Sequence, residues 1–155
     1  MNEIIAKSSK GHKVGSSGAA LAILCFFMPW LLVSCGGQTA KVSGWDLAAG
    51  TTVGAGFSAQ QIPGKPILFL VLLAAVGVIA LAYLAYKRGT LMPKMDGYGL
   101  IGLGALALLI LFISFSGAKE QGAQQGIYVD IEFGLWGAVI GYLGAIVGGV
   151  LNLRE

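Results

Sequence analysis

The chain has 155 residues, of which 56% are hydrophobic and only 11% charged, and its mean hydropathy is +0.81. Soluble domains are about 45–50% apolar and about 25% charged, so so short and apolar a chain could not cover a soluble core with polar surface; lipid is its natural solvent. The net charge of +3 does not mark a nucleic-acid surface, because the basic residues form no single patch and sit instead at the ends of apolar runs, as topology signals do.

A helix that crosses the hydrocarbon core needs about 20 mostly apolar residues, and four runs meet that need, at 17–34, 66–86, 98–116 and 133–153. None of them contains Asp, Glu, Lys, Arg or His. The first run follows a tail with Lys7, Lys10, His12 and Lys13 and ends at Leu32-Val33-Ser34-Cys35. That ending has the form of a bacterial lipoprotein cleavage site behind a basic tail and an apolar stretch. Two readings stand: a cut chain with lipid on Cys35 and three helices left, or a retained first helix with a Cys at its outer end. The long tail and the Pro29-Trp30 pair weigh toward the second. Cys25 and Cys35 lie about 15 Å apart along one straight helix, too far for a disulfide. Cys25 then reads as a small buried apolar residue, and Cys35 as a free thiol or a link between subunits.

The first long connection, 35–65, opens with Gln38-Thr39-Ala40-Lys41-Val42, a piece suited to an extended conformation. Ser43-Gly44-Trp45-Asp46-Leu47 reads as a turn into a short helix with Ser43 as its cap, and 50–57 as a glycine-rich irregular stretch. Trp45 and Asp46 are the candidate outer contacts. Trp45 either anchors a partner interface or plugs the loop onto the membrane surface or the bundle, and the second reading weighs more.

The second run opens on Pro66, where a missing N–H costs a helix little. The brief link 87–97 makes the second and third helices antiparallel neighbours. The third run carries Gly99, Gly102, Gly104 and Ala105. In the connection 117–132, Ile127-Tyr128-Val129-Asp130-Ile131 is strand-like in residue type, so a small sheet joining the two outer connections is expected.

The last run holds the most specific pattern. Gly134, Gly137, Gly141, Gly144 and Gly148 follow at spacings of 3, 4, 3 and 4 on a helix that is bulky elsewhere. In lipid, helices associate through close backbone approach across small residues rather than through apolar burial. This seam therefore demands a tightly packed helix: the first or third helix of the same chain, or a helix of another subunit.

Orientation follows from the basic residues. Lys7, Lys10, Lys13, Lys87, Arg88, Lys94 and Arg154 fall on one side, against Lys41, Lys65 and Lys119 on the other. The positive-inside rule places the first group, and both termini, in the cytoplasm. Trp30, Tyr128 and Trp136 then fall near the outer interface, and Tyr83, Tyr86 and Tyr98 near the inner one.

Much chemistry is disfavoured. Ion-coupled transport usually keeps an ionisable group within the membrane, and these runs have none. The one histidine, His12, reads as a solvated tail residue, which leaves none near the outer face for a Ser/His/Asp or Cys/His arrangement. No clustered ligand set suggests zinc or iron, and no phosphate-binding loop follows a strand. Asp46, Glu120, Asp130 and Glu132 could share acid–base work, but solvated surface roles suit them better. The expectation is a non-catalytic protein with no cofactor.

The run Met28-Pro29-Trp30-Leu31-Leu32-Val33-Ser34-Cys35-Gly36-Gly37-Gln38, followed by Ser43-Gly44-Trp45-Asp46-Leu47-Ala48-Ala49-Gly50, resembles small four-helix bacterial inner-membrane proteins of uncharacterised function. In these, Pro-Trp near a Ser-Cys-Gly ends the first helix, a Ser-Gly-aromatic-x-Leu-Ala-x-Gly segment follows, and the last helix is rich in Gly. The resemblance covers about a fifth of the chain by motif; it implies the same span order and a bacterial inner membrane, and no activity. Claudin-like proteins share the topology, but their paired-cysteine Trp-Gly-Leu-Trp loop pattern is missing, since Gly134-Leu135-Trp136 opens the last run instead.

The reading as a whole is one all-α domain over 1–155, a four-transmembrane-helix bundle with a small β element in its outer loops. Lipid and other membrane subunits or further copies of itself are the expected partners, and no nucleic acid. Three functions are expected in descending order: a structural or accessory subunit of a membrane assembly, a binding or sensing module using the outer loops, and a homo-oligomeric pore.

Overall fold

The structure is a computed structural model and describes residues 2–35, 38–53, 60–88, 93–116 and 128–154. Its first element corrects the span expected at 17–34. The helix α1 (Asn2–Phe26) takes in the basic tail and stops at Phe26, and residues beyond it form the strand β1 (Pro29–Cys35). The cause lies at Pro29, which has no N–H for a helix and pushes the residue before it out of the helical region. The Phe27 and Met28 N–H groups donate to the Leu24 and Cys25 carbonyls, each at 3.2 Å, the tightened bonds that often close a helix end. Pro29 then takes the first position of a strand, where a missing donor is tolerated. The argument against a disulfide from one straight helix loses its premise here; Cys25 is free and buried, and the Cys35 side chain lies outside the described residues.

The connection expected as 35–65 is largely ordered. It holds β2 (Gln38–Ser43), α2 (Gly44–Ala49), β3 (Thr51–Val53) and β4 (Gln60–Ile62). The stretch 50–57 therefore starts with a strand rather than irregular chain, and its part beyond Val53 lies outside the described residues. Three long helices follow: α3 (Leu68–Arg88), α4 (Pro93–Ser116) and α5 (Phe133–Arg154), with β5 (Tyr128–Ile131) just ahead of α5.

The four long helices pack side by side. Helix α5 lies against α1 and α4, and α3 lies against α4 and α1. Three of them are long and apolar enough to cross a membrane: α3 over Leu68–Ala85, α4 over Met95–Ser116, and α5. Their outer faces carry bulky apolar side chains at helical spacing, such as Leu70, Leu73 and Val76 on α3 and Trp136, Ile140, Leu143 and Val147 on α5. Their inner faces bury Leu68, Val71, Val78, Leu100 and Tyr142.

A sheet caps the end where α1 finishes and α5 begins. Its strand order is β2-β1-β5, antiparallel throughout, with a second ribbon of β3 and β4. The expected pairing of the two outer connections is thus mediated by β1. Leu31 stands opposite Val42 and Ile131, and Val33 opposite Ala40 and Val129; Leu31, Val33 and Val42 are buried. One residue along, Leu32 stands between Lys41 and Asp130, both exposed. This alternation gives the sheet an apolar face to bury and a polar face to show.

Candidate functional site

The joint between bundle and cap is built around Trp30. Its side chain is fully buried, and its indole N–H donates to the Cys25 carbonyl at 2.7 Å, which also accepts the Met28 N–H at the end of α1. A buried indole needs such a partner. The ring meets Phe26 edge-on at 5.4 Å and leans on Phe115 of α4 at 6.0 Å. Glycines close both sides. A Cβ on Gly44 would lie 2.8 Å from the indole and 2.7 Å from the Phe26 carbonyl oxygen, and one on Gly134 would lie 2.8 Å from the indole. The Trp30 carbonyl accepts from the Glu132 N–H at 2.8 Å. One residue thus ties α1, α2, α4 and the start of α5 together. Placing Trp30 near the outer interface from sequence did not reveal this role; the available signal was the glycine on two of the segments that meet it, Gly44 and Gly134.

Trp45, the candidate contact, lies on α2 and is 45% exposed. It stacks on Phe27 at 5.9 Å and meets Phe69 of α3 edge-on at 5.3 Å, so one face of the indole holds the loop on the bundle while the rest stays open. Asp46 is engaged locally. Its carboxylate accepts from the Ser43 N–H at 3.0 Å and from the Ser43 hydroxyl at 2.7 Å, and the Asp46 N–H donates back to that hydroxyl at 3.2 Å. This reciprocal capping box starts α2 and takes up one Asp46 carboxylate oxygen, Oδ2. The helix ends at Gly50, whose φ of 86° suits glycine. A Cβ on Gly50 would also lie 2.9 Å from the Gly64 nitrogen. From there the Lys65 N–H reaches the Leu47 carbonyl at 2.8 Å, and its ammonium reaches the Ser114 carbonyl at the end of α4 at 3.0 Å, a favourable place for a cation. A shallow groove lined by Thr51, Thr52, Gln61 and Pro63 runs along the β3–β4 ribbon.

Of the five seam glycines of α5, four face α1 and Gly134 faces the start of β1. Gly134 meets Pro29 and Trp30, Gly137 meets Cys25, Gly141 meets Gly18 and Ala22, Gly144 meets Gly18, and Gly148 meets Gly11 and Gly15. The contact is reciprocal: a Cβ on Gly141 would lie 2.6 Å from the Gly18 carbonyl oxygen, and one on Gly18 would lie 2.5 Å from that of Gly141. Gly11, Gly15, Gly18, Ala22 and Cys25 form a second seam at spacings of 4, 3, 4 and 3. Sequence reasoning missed it because the charges around Gly11 read as a tail. The small residues of α4 serve elsewhere: Gly104 meets Ile146 and the Tyr142 backbone on α5, Gly99 meets Leu81, and Gly102 meets nothing. The Tyr142 hydroxyl donates to the Val71 carbonyl, linking α5 to α3.

At the other end of the bundle sits a polar group the sequence did not reveal. His12 belongs to α1 rather than a free tail, and its Nε2 lies 3.9 Å from the Asp96 carboxylate on α4; their side chains are only 13% and 19% exposed. Asn152 of α5, 2% exposed, presses its amide on Gly11. Among the described residues, no three His, Cys, Asp or Glu side chains come together as a metal site would require.

Cys35 ends the central strand. A cut ahead of it would take away α1 and nearly all of β1, and with them the strand that pairs both β2 and β5. Comparison with protein-family models, with curated proteins and with solved structures gives no match.

Proposed function

We propose that this chain is a four-span protein of the bacterial inner membrane, with both termini in the cytoplasm, acting as a non-catalytic structural or accessory subunit of a membrane assembly. The observation that carries this reading is the joint at Trp30, which fixes a polar cap rigidly on a bundle whose outer faces are broad and apolar. A fixed head on a membrane body suits holding a neighbour in place. The α1 helix serves as the fourth span: it is too polar to qualify alone, but its small-residue seam runs beside α5 from Gly11 to Cys25 and so shares that helix's depth. In lipid, such backbone contact supplies the association that apolar burial does not. Because the α5 glycines are met inside the chain, the outer faces and the cap, not that seam, are where other subunits or further copies would dock.

A second reading, an outer binding or sensing module, draws on the open part of Trp45 and the groove beside β3 and β4. A pore lined by small residues draws no support from the α5 seam, whose glycines meet α1 and the start of β1. Gentle detergent extraction followed by native gel separation and mass spectrometry distinguishes the first two. Fixed companions in a large band support the accessory subunit. A small band of this chain alone contradicts it and directs attention to Trp45, where loss of an outer-face interaction in Trp45→Ala with the bundle intact would mark a binding module.

A further inference from the structure

We propose that this bundle is matched to a thin bilayer, its lipid partner being a layer of short acyl chains about 21–24 Å deep by helix rise, against about 30 Å for an ordinary hydrocarbon core. The proposal rests on the membrane reading above and adds the kind of bilayer that fits. Among the described side chains, the exposed Trp and Tyr stand only at the two ends of the bundle, Trp45 and Trp136 at the cap end and Tyr83 and Tyr98 at the other. The large exposed side chains between them on the helices are apolar, such as Leu73 and Val76 on α3, Leu106 and Leu109 on α4, and Ile140 and Leu143 on α5. Amphipathic rings in this arrangement mark two membrane–water interfaces, and the spacing of the rings measures the layer between them.

Three helices give that spacing independently. On α3, Phe69, which the Trp45 ring meets edge-on, stands fourteen residues before Tyr83, or about 21 Å at the helix rise. On α1, the exposed Lys13 stands the same fourteen residues before Phe27, on which Trp45 stacks. On α4, the exposed Lys65 ammonium at the Ser114 carbonyl marks the water boundary on the cap side. Ser114 lies sixteen residues beyond Tyr98, or about 24 Å. Side-chain direction makes the α3 limit firm. Helical side chains tilt toward the N-terminus, which for α3 is the cap end, so Tyr83 and the exposed Lys87 a turn later lean into the layer rather than out of it. A thicker layer would have to thin around the chain or take in Lys13 and Lys65, and an ammonium in hydrocarbon is costly. A thin layer also explains how α1 can cross, since the stretch between Lys13 and Phe27 holds no charged residue.

The test reconstitutes the full chain in phosphatidylcholine vesicles whose monounsaturated chains are fourteen, eighteen or twenty-two carbons long. The relative binding of each lipid is read from its competition with a brominated phosphatidylcholine that quenches the exposed Trp45 and Trp136. The fourteen-carbon lipid is expected to bind at least about twofold more strongly than the eighteen-carbon lipid, and the twenty-two-carbon lipid most weakly, because each ångström of mismatch adds cost. Replacing Lys13→Leu together with Tyr83→Leu, both at exposed positions, extends the apolar surface at the inner end and should narrow that preference. Equal binding of the three lipids, or strongest binding of a longer one, overturns the thin-bilayer match and leaves the membrane reading standing. A fourteen-carbon preference unchanged in the double variant overturns it as well, since Lys13 and Tyr83 would then not set the inner boundary. Tryptophans that no brominated lipid quenches would overturn the membrane reading and this inference together.

Discussion

Trp30 concentrates more of this structure than any other side chain. It donates to the Cys25 carbonyl, fills the space between Gly44 and Gly134, and braces Phe26 and Phe115. Trp30→Ala should cost about 3–5 kcal/mol, the range for removing a large buried aromatic, and detach the cap from the bundle; limited proteolysis of the cap with retained helical circular dichroism would show it. Tyr142→Phe removes only the hydroxyl bonded to the Val71 carbonyl and should cost about 0.6–2 kcal/mol, the range for hydrogen bonds between helices in membranes, read as a lowered unfolding midpoint in detergent. Ser43→Ala removes both bonds made by the hydroxyl, leaves the Ser43 N–H on the Asp46 carboxylate, and should cost about 0.5–2 kcal/mol. At this scale the sequence was only partly legible. Ser43 was readable as a cap because its type and place ahead of a short apolar segment suffice. Trp30 was not, because its role comes from three segments far apart in the chain that converge on it.

At the scale of elements, the decisive contact is α1 on α5. It separates glycines that matter from glycines that do not. Gly141→Ala puts a methyl against the Gly18 carbonyl and Ala22, so the helices must part; the expected cost is about 1–3 kcal/mol. Gly102→Ala on α4 meets open space and should be neutral or gain up to about 1 kcal/mol from helix propensity. Equal effects of the two substitutions on unfolding in detergent would contradict the packing described. The α5 seam was legible because five glycines stood in register on a bulky helix. Its counterpart on α1 was hidden among Lys7, Lys10, His12 and Lys13, which polarity alone assigns to a solvated tail. The strand β1 was misread for a related reason: Trp30-Leu31-Leu32-Val33 is an unbroken apolar run, and periodicity cannot tell such a run in a strand from one in a helix. Pro29 held the deciding information.

For the whole molecule, three helices long and apolar enough to cross a membrane and a capping sheet are in place, and the proposed account rests on a fourth helix crossing with them. Composition pointed to a membrane protein, in keeping with three helices apolar enough to cross, but it placed the first helix at 17–34 where the structure has it at Asn2–Phe26. What brings α1 to the depth of α5 is the matching of two small-residue seams, a property of the pair and not of either run. The most direct measurement is sidedness on either side of α1. In a background of Cys25→Ala and Cys35→Ala, single cysteines at Asn2→Cys and Thr39→Cys are treated with a membrane-impermeant maleimide on cells whose outer barrier has been opened. The account predicts that Thr39→Cys labels at once and Asn2→Cys only after the inner membrane is permeabilised. Labelling of both from the same side would show that α1 does not cross, and the four-span bundle would be wrong.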